Sequence, residues 1–106
     1  MKLTVRERLM LLGVLPREGS FATLRIIRRL QDELSFTEEE HQEFGLRETE
    51  EGIVWNTSAE REKEIKIGFK ASEVIVTALK ELDRKNQLRV DHISLFEKFV
   101  LDEEEE

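Results

Sequence analysis

Apolar residues recur every three or four positions along most of this 106-residue chain, and that period breaks between residues 46 and 67. That change of period constrains the fold more than any other feature. A 3.6-residue period stripes one face of a helix, and a two-residue period fills one face of a strand. Phe21, Leu24, Ile27, Leu30 and Leu34, with Ile26 beside them, stripe one amphipathic helix. Ala71, Val74, Ile75, Ala78, Leu79 and Leu82 stripe another, over about Lys70 to Lys85, where Arg84 and Lys85 suit the negative end of the helix dipole. Leu46-Arg47-Glu48 and Ile53-Val54-Trp55 flank Thr49-Glu50-Glu51-Gly52, which reads as a hairpin turn with its glycine in a left-handed position. Glu64-Ile65-Lys66-Ile67 alternates as a third strand. The expectation is an α+β fold, mainly helical, with about five helices and a small three-stranded antiparallel meander.

Capping residues predict the remaining boundaries. Thr4 and Glu7 form a capping box, in which the hydroxyl and the carboxylate each satisfy a free backbone N–H. The helix they open is expected to run to about Leu12, with Gly13 ending it and Pro16 preventing its resumption. Leu9, Met10, Leu11, Leu12, Val14 and Leu15 are too many for one stripe, so this helix should be well buried. Ser20 caps the second helix. Thr37 and Glu40 make another box, and Gly45 a left-handed stop, for a third helix from about Glu38 to Phe44 anchored by Phe36, Phe44 and Leu46. Thr57 and Glu60 allow a helical turn in the following loop. Asp91 is expected to cap a fifth helix, with Ile93, Leu95, Phe96, Phe99 and Val100 facing the core.

Hydrophobic and charged residues each make up 39% of the chain, so the surface is heavily charged but a core is affordable. Without cysteine there is no disulfide framework and no thiolate metal site. The apolar run Leu9 to Leu12 follows Arg6, Glu7 and Arg8 and is too short for a signal peptide, and no run approaches a membrane span. A soluble cytoplasmic protein is expected, with one domain over residues 1–101 and a disordered acidic tail over residues 102–106. The net charge of −7 is unevenly spread: residues 38–64 carry −7 and the tail −5, while residues 1–37 and 65–101 carry +3 and +2.

Motifs for catalysis are not found. The glycines are isolated, so no loop cradles phosphate, and neither a Gly-x-Ser-x-Gly elbow nor a His-Glu-x-x-His pair occurs. His41 and His92 each follow an acidic residue near a helix start, where a surface histidine is expected. Glu38 and His41 have the spacing of a carboxylate–imidazole pair of di-metal bundles, but those need two such pairs. No enzyme activity, metal or cofactor is expected, and Trp55 reads as a core residue. Arg25, Arg28 and Arg29 read as a solvated helix face, on which Arg28 and Arg29 can pair one turn on with Asp32 and Glu33.

Three helices followed by a hairpin is the order of a winged helix, so the first two thirds could be winged-helix-like. In that fold the third helix and the wing meet DNA. Here those elements carry Glu38, Glu39, Glu40, Glu43, Glu48, Glu50 and Glu51, which repel phosphate. The acidic face instead suits a protein partner with a basic surface, or a second copy of the chain. The alternative is a nucleic-acid-binding regulator using Arg17, Arg25, Arg28 and Arg29.

Trp55, Glu64-Ile65-Lys66-Ile67, Ala78-Leu79-Lys80-Glu81-Leu82-Asp83 and Leu95-Phe96-Glu97-Lys98-Phe99, spread over residues 53–100, resemble a pattern of small uncharacterised acidic proteins of bacterial phages and prophages. The resemblance implies a small accessory protein of the bacterial cytoplasm that acts by binding. It transfers no catalytic residue.

Overall fold

Local capping chemistry sets most helix boundaries in the computed structural model, which describes residues 1–59 and 61–101. Among the described residues there are five α-helices: α1 (Val5–Val14), α2 (Phe21–Leu34), α3 (Glu38–Phe44), α4 (Phe69–Arg84) and α5 (Ile93–Phe96). Four short strands join them: β1 (Lys2–Leu3), β2 (Arg47–Thr49), β3 (Gly52–Val54) and β4 (Lys63–Glu64). The fold is α+β and mainly helical, as the periodicity predicts. Both capping boxes close as expected, with Thr4 and Glu7 on α1 and Thr37 and Glu40 on α3. Gly45 ends α3 at φ 63° and Gly52 closes the hairpin at φ 121°, conformations that glycine adopts without a Cβ penalty.

The three-stranded meander does not form. Among the described residues there are two separate two-stranded antiparallel sheets, β2 with β3 and β1 with β4. Lys2 lies opposite Glu64 and Leu3 opposite Lys63, so the last strand crosses to the start of the chain instead of extending the hairpin. No third strand joins the hairpin as it would in a winged helix. The physical reason is burial: Leu3 and Ile65 are both within the core, and pairing Leu3 with Lys63 and Ile65 with Met1 satisfies backbone polar groups that enter with them.

Helix ends depart from expectation twice. α1 continues through Gly13 to Val14, and the extended Leu15 (ψ 133°) before Pro16 stops it. Asp91 does not cap a fifth helix. A 3₁₀ turn at Val90–His92 precedes α5, and a π-helical turn at Glu97–Leu101 follows it. The backbone N–H of Arg89 donates to His92 Nδ1 at 2.8 Å, and Asp91 instead pairs with Arg6 at 3.1 Å. The loop does turn at Thr57–Ala59, whereas Glu60 and the acidic tail lie outside the described residues.

One cluster of buried side chains spans the chain: Leu11 of α1 and Leu15 just after it, Ile27, Leu30 and Leu34 of α2, Ile75 and Leu79 of α4, and Leu95, Phe99 and Val100 after it. The apolar stripes overshoot this core at two places. Phe21 is 77% exposed and Leu24 37%, so α2 enters the core only from its second turn, and Ile93 is 54% exposed rather than inward-facing. α1 is buried along one side only, at Val5, Glu7, Arg8 and Leu11.

Candidate functional site

The acidic block is built on α3 and the hairpin that springs from its end. Seven residues cannot hold a helix by propensity alone, so α3 depends on what anchors it. Phe44 is buried at its C-terminal end, where its carbonyl accepts from the Asn56 N–H at 2.7 Å and ties the far side of the hairpin to the helix. Glu40 is buried at its middle.

Glu40 is the centre of an interior charge network. Arg8, 1% exposed, donates to its two carboxylate oxygens at 2.6 and 3.3 Å, through Nη1 and Nη2. The same guanidinium donates to the carbonyls of Leu34 (3.2 Å) and Ser35 (2.7 Å), which close the end of α2. Its remaining face lies 3.9 Å from the Phe36 ring centroid. The Thr37 N–H donates to Glu40 at 3.0 Å and Lys63 Nζ at 3.3 Å. One buried pair therefore joins α1, the α2–α3 corner, α3 and β4. A smaller copy of the arrangement sits beside it on α1, where Lys98 donates to the buried Glu7 at 2.7 Å.

Burial alone would raise the Glu40 pKa, but the hydrogen bonds from Arg8, Thr37 and Lys63 outweigh it and lower it from 4.5 to about 2. Glu7 is also lowered, because Lys98 and the Thr4 backbone outweigh its burial. Both folded-state values lie below the unfolded ones, so the stabilisation is complete above about pH 4.5 and is lost as the pH falls through the folded values. For Glu40 the shift corresponds to about 3 kcal/mol. Urea unfolding followed from about pH 6 down to about pH 2 is expected to lose more stability in the wild type than in Glu40→Gln. Equal losses would contradict the shift.

Of the acidic residues singled out from the sequence, Glu40 is thus no part of a contact face. Glu43 pairs with Arg61, whose guanidinium also lies 5.9 Å from the Phe44 ring centroid. Glu38 and Glu39 are exposed in the first turn of α3, and Glu48, Glu50 and Glu51 are exposed on the hairpin. Glu48 lies opposite Ile53 and Arg47 opposite Val54, so each face of the ribbon mixes charge with an aliphatic side chain. Every residue of β2 and β3 is exposed. No family model, curated protein or solved structure matches the chain.

The histidines divide. His41 is exposed and packs edge-on against Phe36 at 6.2 Å between ring centroids. His92 is buried, contrary to the surface position expected of it, and burial lowers its pKa. Among the described residues no group of three or more His, Cys, Asp or Glu is placed to hold a metal ion. Trp55 is half-buried, with the Arg6 guanidinium 5.5 Å from its ring centroid. No described helix is long and apolar enough to cross a membrane.

The arginines of the basic alternative are all exposed. Among the described residues, Arg28 and Arg29 form no ion pair with Asp32 or Glu33, so the local pairing expected of them is not made. Arg17 and Arg28 flank one hollow beside Leu24, while Arg25 and Arg29 flank another beside Lys70.

The sequence reading missed Arg8. The signal was present: Val5, Arg8, Leu11 and Leu15 follow helical spacing, so Arg8 falls on the buried stripe of α1. A guanidinium there requires a carboxylate from elsewhere in the chain.

Proposed function

We propose that this is a non-enzymatic protein that acts in the bacterial cytoplasm as an accessory or regulatory factor of a phage or prophage. It binds a second protein that has a basic surface, through Glu38 and Glu39 of α3 and Glu48, Glu50 and Glu51 of the hairpin. The supporting observation is the company these carboxylates keep. Ile53 and Val54, 46% and 37% exposed, stand on a ribbon that buries neither face. Apolar area supplies affinity in a protein contact, and surrounding charge supplies steering and choice of partner.

The test is capture from a bacterial lysate on immobilised protein, comparing the wild type with Glu38→Lys/Glu39→Lys/Glu50→Lys/Glu51→Lys. Glu40 is left intact because its loss would unfold the site. A basic protein retained by the wild type and bound at least about tenfold more weakly by the variant in direct titration is the expected result. Undiminished affinity in the variant would sink the acidic-face reading.

A nucleic-acid-binding regulator using Arg17, Arg25, Arg28 and Arg29 is the second reading, favoured by the absence of the α2 ion pairs among the described residues. It requires a retarded DNA or RNA band whose affinity falls steeply with salt.

A further inference from the structure

The flank of α2 that faces away from α1 meets the start of α4 across an open groove. Its hollow of about 530 Å³ has an apolar floor from Ile26, Leu30 and Ala71 and is also lined by Phe69. Arg29, Lys66 and Lys70 stand on its rim, with Glu33 as the one carboxylate lining it. A second hollow of about 200 Å³ shares Ile26, Arg29 and Lys70 and adds Arg25, so the trough continues along α2. Phe69, the first residue of α4, is 75% exposed at the edge of this trough. Phe21, the first residue of α2, is 77% exposed, with the Arg25 guanidinium 5.9 Å from its ring centroid. Arg25, Arg29, Lys66 and Lys70 take part in no ion pair among the described residues. Gly68 gives α4 no side-chain cap, and its first turn holds no carboxylate, so the helix dipole adds to the positive field that the four side chains already make.

We propose that this groove docks an acidic amphipathic helix of a partner protein, its apolar side chains in the trough and its Asp or Glu residues against Arg25, Arg29, Lys66 and Lys70. The charge asymmetry selects the sign of the occupant, since four cations face one carboxylate. The apolar floor selects a peptide over a polyanion: helix-in-groove recognition buries side chains at three- and four-residue spacing, whereas a phosphate backbone leaves such a floor empty. This groove involves none of the α3 or hairpin carboxylates, so the inference stands or falls separately from the acidic-face reading.

Fluorescence anisotropy with a labelled helical peptide of about 18 residues, Leu at helical spacing and Glu elsewhere, tests it on the full chain. Three comparison ligands are used: the same composition scrambled to remove the stripe, the Lys counterpart, and a single-stranded oligonucleotide of equal charge. The striped acidic peptide is expected to bind at least about tenfold tighter than each of them. Phe69→Ser and Arg29→Glu/Lys70→Glu should each weaken it by about tenfold or more while leaving the thermal unfolding profile intact, because these side chains are exposed. Glu50→Lys/Glu51→Lys, at the hairpin, should leave it unchanged. Equal affinity for the scrambled peptide, preference for the oligonucleotide, no binding of the striped peptide, or indifference to the groove substitutions would each overturn the proposal.

Discussion

Glu40→Ala is expected to lower the free energy of unfolding by about 3–5 kcal/mol, the cost of leaving a buried charge without its partner. Arg8 is 1% exposed and cannot turn to water without opening the corner where it holds the Leu34 and Ser35 carbonyls. The same deletion removes the carboxylate that accepts from the Thr37 N–H and from Lys63. The pair is not the most stabilising filling for its site: two apolar side chains of similar volume avoid the desolvation cost of both ions. Arg8→Met/Glu40→Leu should therefore recover most of what Glu40→Ala loses. Urea unfolding of the three proteins checks both statements. A loss below about 1 kcal/mol in Glu40→Ala would mean that the guanidinium is not confined to the interior.

Phe44→Ala should cost a similar amount, about 3–5 kcal/mol, by opening a cavity at a position that is 1% exposed. Its second consequence is local. With Phe44 gone, α3 keeps Glu40 as its one buried side chain. Amide hydrogen exchange over residues 38–44 is expected to quicken more than exchange over α4, whose Ile75 and Leu79 anchors are untouched. Uniform quickening across both helices would show that α3 opens only with the whole fold.

The comparison of sequence with structure follows the range of the forces involved. The boundaries of α3 were legible to the residue, because Thr37, Glu40 and Gly45 act within one turn of the positions they cap. The hairpin was legible for the same reason, since Gly52 sits at its turn. The β1–β4 pairing was not. Lys2 and Leu3 are too few to show alternation, and the partner strand is contributed from Lys63 and Glu64, far along the chain. Gly13 misled because a helical glycine costs only about 1 kcal/mol against alanine, less than packing returns, while Pro16 dictates the stop through Leu15. Phe21 and Phe69 follow the apolar periods or border them, yet both stand in water, and no local signal separates a stripe that reaches the core from one that runs past it.

The candidate site was half legible. The density of carboxylates between residues 38 and 51 is plain in the sequence, but their division of labour is tertiary. Glu38 and Glu40 look alike as letters. One is presented to solvent and the other is closed around Arg8. A structural carboxylate is thus separated from those left exposed on α3 and the hairpin.

The most direct test is the titration of the Glu40 side-chain carboxyl by carbon-detected NMR on the intact protein. The account predicts a midpoint of about 2, held there by Arg8, Thr37 and Lys63. A midpoint near the ordinary 4.5 would contradict it, placing Glu40 at the surface with its neighbours.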